Sequence, residues 1–103
     1  MEKYSLMSMA ELQQEVADLK VKAQKAEQMG MINEFAVHER KMLLAQAYLL
    51  SPDDFQAGEK YQINDSEDVF LIDYLNGVFA WGYRNANSGK EAVPISLLGR
   101  RIT

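Results

Sequence analysis

Hydrophobic and polar residues follow two different patterns along this 103-residue chain, and the pattern changes near Pro52. Before Pro52, apolar residues recur every three or four positions, which is typical of amphipathic helices. After it, they tend to recur at every second position, which is typical of strands. The order of the patterns predicts an α+β fold in which helices precede an antiparallel sheet.

The first helix is predicted to begin at a capping box. The Ser8 hydroxyl can accept a hydrogen bond from the Glu11 backbone N–H, and the Glu11 carboxylate can accept one from the Ser8 N–H. Met7 and Leu12 are placed to form the accompanying hydrophobic staple. Gly30 can adopt the left-handed conformation that ends a helix. The apolar stripe between these signals consists of Leu12, Val16, Leu19, Ala23 and Ala26.

A second helix is predicted between Gly30 and Ser51. It must stop there because the residue before Pro52 avoids the α region. The connection at Gly30 is short, so the second helix returns along the first. The two helices are therefore predicted to form an antiparallel α-hairpin over residues 8–50.

The second half of the chain is predicted to be a small antiparallel β-barrel over residues 55–98. Its clearest signal is Asn76-Gly77, the preferred sequence of a two-residue type I′ hairpin turn, between strand-like segments at 69–76 and 78–84. Pro94 suits the end of a last strand around residues 91–98. Residues 99–103 are interpreted as a solvent-exposed tail. The length favours a single domain, 1–103.

This turn predicts the register and the two faces of the hairpin. It places Leu75 opposite Val78 and Phe70 opposite Tyr83. Both faces are then apolar, and we expect one to line the barrel and the other to be covered by the helices or a partner. The larger face would hold Phe70, Ile72, Tyr74, Phe79, Trp81 and Tyr83. The smaller one would hold Val69, Leu71, Leu75, Val78, Ala80 and Gly82, with Asp73 as its charged member.

Several segments together resemble the YfhH family of Gram-positive bacteria. The resemblance covers nearly the whole chain, except for the termini and the loop at 85–90. It implies an α-hairpin followed by an SH3-like barrel, and the label transcriptional regulator is attached to the family, with no site to carry over. The matching segments are Ile32-Asn33-Glu34, Glu39-Arg40-Lys41, Ala47–Leu50, Gly58–Tyr61, Tyr74–Tyr83 and Pro94–Leu98.

Composition narrows the chemistry. The chain has no cysteine, which excludes disulfides, thiolate zinc sites and thiol nucleophiles. Its net charge of -4 opposes non-specific nucleic-acid binding. No segment has the layout of a signal peptide or the length of a membrane span, so we expect a cytoplasmic protein without membrane contact.

No catalytic, cofactor or metal site is predicted. His38 and Glu34 lie one helical turn apart, but two ligands do not make a metal site, and a surface histidine paired to Glu34 is the preferred interpretation. One histidine without a nucleophile turn excludes a recognisable Ser-His-acid triad. No glycine-rich phosphate loop is present, and the acidic loop at 65–68 lacks EF-hand spacing. We therefore predict no enzyme and no cofactor.

The aromatic side chains of the hairpin are the main candidates for binding. Most aromatic residues at strand spacing belong to a core, and we prefer that interpretation, with one or two tyrosines left at the rim. The candidate partner-binding residues are Tyr74, Trp81, Tyr83 and Arg84. They could serve a peptide groove or a base-stacking platform.

Elimination and the two-faced hairpin lead to a functional hypothesis. We expect a non-catalytic interaction or regulatory module that binds a protein partner or self-associates. The alternative is a nucleic-acid-binding transcriptional regulator, for which Arg84, Lys90, Arg100 and Arg101 supply the local positive charge. Acidic residues outnumber basic ones in this half of the chain, which disfavours that alternative.

Overall fold

The computed structural model describes residues 3–87 and 89–102, which belong to two compact units, Met1–Leu49 and Leu50–Thr103. The first unit carries the helices and the second carries the strands. The predicted α+β class and the order of its two halves are confirmed.

The helical unit begins with a 3₁₀ turn, Tyr4–Leu6, followed by helices α1 (Met9–Gln28) and α2 (Ile32–Ala47). The predicted capping box is present at the start of α1. The Glu11 N–H donates to Ser8 Oγ at 3.1 Å, and the Ser8 N–H donates to Glu11 Oε1 at 3.0 Å. These bonds satisfy two backbone donors that the first turn of a helix otherwise leaves without partners.

The connection between the helices is set by Gly30, as the sequence predicts. Its φ is 70°, a left-handed conformation that L side chains adopt at a steric cost. The Gly30 N–H donates to the Glu27 carbonyl at 3.1 Å, and the Met31 N–H donates to the Ala26 carbonyl at 2.8 Å. This pair of bonds is a Schellman motif, which ends α1 and allows α2 to begin two residues later.

Small and apolar side chains fill the space between the two helices. Ala23, Ala26 and Ala45 are all buried, and alanine lets helix backbones approach closely. An apolar cluster lies near the start of α1. It contains buried Tyr4, Leu12 and Ala45 with Met7, Val16, Leu44, Tyr48 and Leu49 packed around them.

The sheet unit contains five antiparallel strands joined in the order β4-β3-β2-β1-β5. Two further 3₁₀ turns, Pro52–Asp54 and Ile95–Leu97, precede β1 and β5. The strands are β1 (Lys60–Ile63), β2 (Val69–Asn76), β3 (Phe79–Arg84), β4 (Lys90–Pro94) and β5 (Leu98–Ile102). Two predictions from the sequence are wrong here. Residues 99–102 are not a tail, because β5 pairs with β1, and Thr103 lies outside the described residues. Over the described residues the sheet is also not closed into a barrel, because β4 and β5 form its two edges.

The hairpin turn also differs from the prediction. Asn76 pairs with Phe79, so Gly77 and Val78 are the two central residues. Gly77 has a φ of 59°, and a type II′ turn needs a positive φ only at that first position, where glycine is favoured. The type I′ assignment, which placed Asn76 and Gly77 in the centre, is therefore wrong.

A β-bulge at Asp73 then shifts the register by one residue. Ile72 pairs with Gly82 and Tyr74 pairs with Trp81, which leaves Asp73 without a partner across the ladder. In the predicted register Asp73 would face Ala80, which is fully buried, and burying a charge there would be costly. The bulge keeps the Asp73 carboxylate exposed instead.

The predicted faces of the hairpin are consequently wrong for the β2 residues before the bulge, whereas Tyr74, Phe79, Trp81 and Tyr83 share one side as predicted. Tyr83 pairs with Leu71 and not with Phe70, so Phe70 and Tyr83 lie on opposite sides of the sheet. The buried side holds Phe70, Ile72, Ala80 and Gly82, together with Tyr61, Ile63, Val93 and Leu98 from the other strands. The aromatic residues of β3 face the other way.

Gly82 permits the close pairing of β2 and β3 next to the bulge. A Cβ atom at this position would overlap the Leu71 carbonyl oxygen and come within 3.1 Å of the Ile72 Cα atom. A glycine inside a strand often marks such a close backbone approach.

Replacing Gly82 by alanine should lower the free energy of unfolding by about 2–3 kcal/mol, because backbone atoms of β2 must move to admit the methyl group. Chemical denaturation measures the loss. Gly89→Ala is the matched control, since a Cβ there meets nothing within 4 Å, and it should change stability by less than about 0.5 kcal/mol. Equal effects of the two substitutions would contradict the close approach.

Acidification should weaken the start of α1. Hydrogen bonds from the Ser8 backbone and side chain lower the pKa of Glu11 from its ordinary value of 4.5. A carboxylate with a lowered folded-state pKa stabilises above the unfolded value and loses that contribution as pH falls through the folded one. The stability difference between the native chain and Glu11→Gln should therefore be largest above pH 4.5 and shrink below it, as measured by urea unfolding. A constant difference from neutral to acidic pH would contradict this.

Candidate interaction surface

The side of the sheet opposite Phe70 and Ile72, here called the outward face, carries the candidate residues. Cross-strand partners lie on the same side of a sheet, so the register defines this face row by row. One row runs Ile102, Lys60, Leu71, Tyr83, Lys90 across all five strands. The next contains Tyr74, Trp81 and Ala92, and a third contains Phe79 with Asn76 and Pro94. Every member of these rows is exposed or half-buried.

The rings of Tyr74, Trp81 and Tyr83 lie on the outward face and are here called the aromatic cluster. The Tyr74 and Trp81 rings stack with their centroids 6.0 Å apart and their planes inclined by 7°. Tyr74 has 43% of its surface exposed. The Lys90 Nζ atom lies 5.2 Å from the Tyr74 ring centroid and 5.8 Å from that of Tyr83, within the range of a cation–π interaction.

Lys90 also forms an ion pair with the bulge residue. Its Nζ atom lies 2.8 Å from Asp73 Oδ2. The hydrogen bond to Asp73 is the main reason that the pKa of Lys90 is raised from its usual value. The bulge therefore supplies the counter-ion of the lysine that lies over the aromatic rings.

An apolar depression of about 390 Å³ lies beside this cluster. The loop after β3 borders it with two consecutive residues in left-handed conformations, Asn85 at φ 52° and Ala86 at φ 62°. Asparagine tolerates this conformation better than alanine does, because alanine lacks a side chain that can hydrogen-bond locally. The complete lining consists of Lys60, Val69, Leu71, Tyr83, Asn85, Ala86 and Ile102.

Arg84, the fourth candidate residue, belongs to a separate ion-pair network. It alternates with Tyr83 along β3 and pairs across the sheet with Phe70. Its guanidinium lies 3.0 Å from Glu91 Oε1 and 3.3 Å from Asp68 Oδ2. Hydrogen bonds to Glu91, and more weakly to Asp68, raise the pKa of Arg84.

Asn85 completes this network. Its side-chain amide donates to Asp68 Oδ1 at 2.9 Å, and its Oδ1 accepts from the Val69 N–H at 2.9 Å. The bond from Asn85, followed by that from Arg84, lowers the pKa of Asp68. The network therefore fastens the loop after β3 to the start of β2, next to the apolar depression.

The structure brings together Tyr74, Trp81 and Tyr83 but separates Arg84 from them. Sequence reasoning missed Asp73 and the apolar depression as parts of the same surface. It considered Lys90 only as a contributor of positive charge. The alternation of polar and apolar residues along β2 does not indicate a bulge. The one signal for it in the sequence was a charged residue, Asp73, in an otherwise apolar stretch of the strand.

The helical unit offers little support for a metal site. His38 Nδ1 is buried and has no hydrogen-bond partner among the described residues. His38 and Glu34 both line a cavity of about 320 Å³. Within residues 3–87 and 89–102, no group of three or more histidine, aspartate or glutamate side chains is placed to hold a metal ion.

None of the helices in the described part of the chain combines the length and the apolar character that a membrane span requires.

An α-hairpin followed by a five-stranded antiparallel sheet defines a small α+β protein. Aromatic side chains are concentrated on the outward face of its sheet. A family model described as a protein of unknown function, DUF1811, matches residues 2–99. The chain is also 57% identical over 97 residues to the uncharacterised protein YfhH of Bacillus subtilis strain 168, covering 93% of each chain. The chain therefore belongs to the YfhH family, as the resemblance of its segments predicts.

Replacing Ala86 by glycine should stabilise the protein by about 0.5–1 kcal/mol. The left-handed conformation costs alanine roughly 1–2 kcal/mol, and the greater flexibility of unfolded glycine offsets part of that gain. Thermal or urea unfolding measures the change. The exposed Ala57→Gly provides a control without a positive φ, and it should be neutral or destabilising. A loss of stability in Ala86→Gly would contradict the strain.

Proposed function

We propose that this chain is a non-catalytic interaction module that binds a protein partner, or a second copy of itself, through the outward face of its sheet. The observation that carries the proposal is the register of β2 and β3. It turns Tyr74, Trp81 and Tyr83 away from the buried side and places them beside an apolar depression.

The composition of the outward face favours protein binding. Tyrosine and tryptophan are the residues that most often dominate binding energy at protein interfaces, because they provide a large, rigid contact area. The depression of about 390 Å³ beside them can accept an apolar side chain of the partner. In this proposal, Tyr74, Trp81 and Tyr83 do not belong to the core and serve as binding residues.

The arrangement of the strands supports a further part of the proposal, that the sheet unit is related to SH3-like folds. The last strand, β5, returns to pair with the first strand, β1, and a 3₁₀ turn precedes it. Aromatic grooves on such small sheets bind extended peptides. An extended segment of the partner is therefore the ligand that this relationship favours.

Nucleic-acid binding remains the alternative proposal, and the charges on the surface weigh against it. Lys90 is paired with Asp73, Arg84 with Asp68 and Glu91, and Arg101 with Glu59 at 3.9 Å. A phosphate would have to displace these carboxylates before the cations could bind it. Exposed Arg100 and Lys60 are the other cations of this region.

A charge placed in the depression should weaken partner binding. A photo-reactive amino acid at position 74 would first identify by cross-linking the protein that contacts the aromatic cluster, including a second copy. Leu71→Lys should then weaken that complex at least about tenfold, because an ammonium group replaces an apolar contact. Affinity is measured with the purified partner, or by sedimentation when the chain self-associates.

Val21→Lys is the matched control, since Val21 is an exposed aliphatic residue of α1, and it should leave the affinity unchanged. Thermal unfolding should show that both variants are folded. Equal affinities of the two variants, or a monomer that forms no cross-link from position 74, would overturn the proposal. Oligonucleotide binding that falls steeply between about 50 and 200 mM salt would favour the alternative.

A further inference from the structure

The surroundings of the Lys90 ammonium group resemble a ligand site more than an ordinary surface ion pair. Two tyrosine rings lie within 6 Å of Nζ, and a carboxylate oxygen lies at 2.8 Å. The Trp81 ring stacks on Tyr74 and holds that ring in place. Aromatic faces combined with a carboxylate are the groups by which proteins recognise ammonium ions.

The strands fix these groups independently of Lys90. Asp73 is held at the bulge of β2, and Tyr74 follows it directly. Tyr83 is held by its pairing with Leu71 on the neighbouring strand. The site would therefore persist if the lysine side chain left it.

Lys90 is also held with little energy. Its side chain is 38% exposed and that of Asp73 is 47% exposed, and ion pairs between exposed side chains contribute little stability because water competes for both partners. A cation–π contact at an exposed position is similarly weak. The four-carbon stem of lysine is flexible, so the ammonium group can swing into solvent.

We infer that Asp73, Tyr74 and Tyr83 form an ammonium-binding site that Lys90 occupies within the chain and that a lysine side chain of a protein partner occupies in its place. Lys90 acts as an internal competitor for this site. The group that the interaction surface recognises is thus an ammonium ion. That this ion belongs to a lysine of a protein rests on the proposed function.

Removal of Lys90 should open the site to a small ammonium ion. We would titrate n-butylammonium, which mimics a lysine side chain, into the native chain and Lys90→Ala, and follow Trp81 fluorescence and the tyrosine ring signals by NMR. Binding should be saturable and about tenfold tighter in Lys90→Ala, because the competing contacts are lost. Lys20→Ala, which removes an exposed lysine of α1, should bind like the native chain. If Lys90→Ala does not fold, Lys90→Thr keeps the strand propensity and serves the same purpose.

Two further arms test the chemistry of the site. In the Lys90→Ala background, Asp73→Asn and Tyr74→Leu should each weaken n-butylammonium binding several-fold. Neutral 1-butanol should not bind, and sodium chloride at the same ionic strength should not reproduce the spectral change. No saturable binding in the variant, or equal binding of 1-butanol, would overturn the inference.

The protein partner separates this inference from the proposed function. If the partner supplies a lysine, Lys90→Ala should strengthen its binding, whereas Leu71→Lys weakens it. A partner that depends on Leu71 but binds Lys90→Ala no more tightly would leave the proposed function standing and overturn the ammonium site as its recognition element.

Discussion

The extra residue at Asp73 is the feature on which the surface of the sheet depends. Side chains alternate between the faces of a strand, so one inserted residue decides which set of side chains beyond it is buried. Here it keeps Phe70 and Ile72 inside while Tyr74 turns outward to meet Trp81. With the observed turn and no bulge, Asp73 would pair with buried Gly82, so the carboxylate would lie on the buried side.

Gly82 and the Gly77-Val78 turn make this arrangement possible from the other strand. The turn starts β3 one residue later than a turn centred on Asn76-Gly77 would, and Gly82 lets its backbone lie against the Leu71 carbonyl. The backbone geometry also positions the charged side chains. Asp73 on the bulge holds Lys90 over the two tyrosines, and the same lysine is the internal occupant of the proposed ammonium site.

Local signals predicted the helical unit well, because short-range chemistry determines it. The capping box at Ser8 and the glycine at position 30 are decided by residues within one or two turns. The extent of β2 was likewise predicted, but its pairing was not, since a bulge depends on what the opposite strand buries. Of the candidate residues, Tyr74 and Trp81 were predicted to share a face, and the observed register makes them direct cross-strand partners. Arg84 could not be judged from its charge, because Asp68 and Glu91 come from elsewhere in the chain.

Cross-strand nuclear Overhauser effects between β2 and β3 test most directly whether the aromatic cluster faces outward. The pairing described here predicts contacts between the backbones of Leu71 and Tyr83 and between the rings of Tyr74 and Trp81. Contacts pairing Phe70 with Tyr83 and Ile72 with Trp81 would contradict it, because they would return the aromatic side chains of β3 to the buried side.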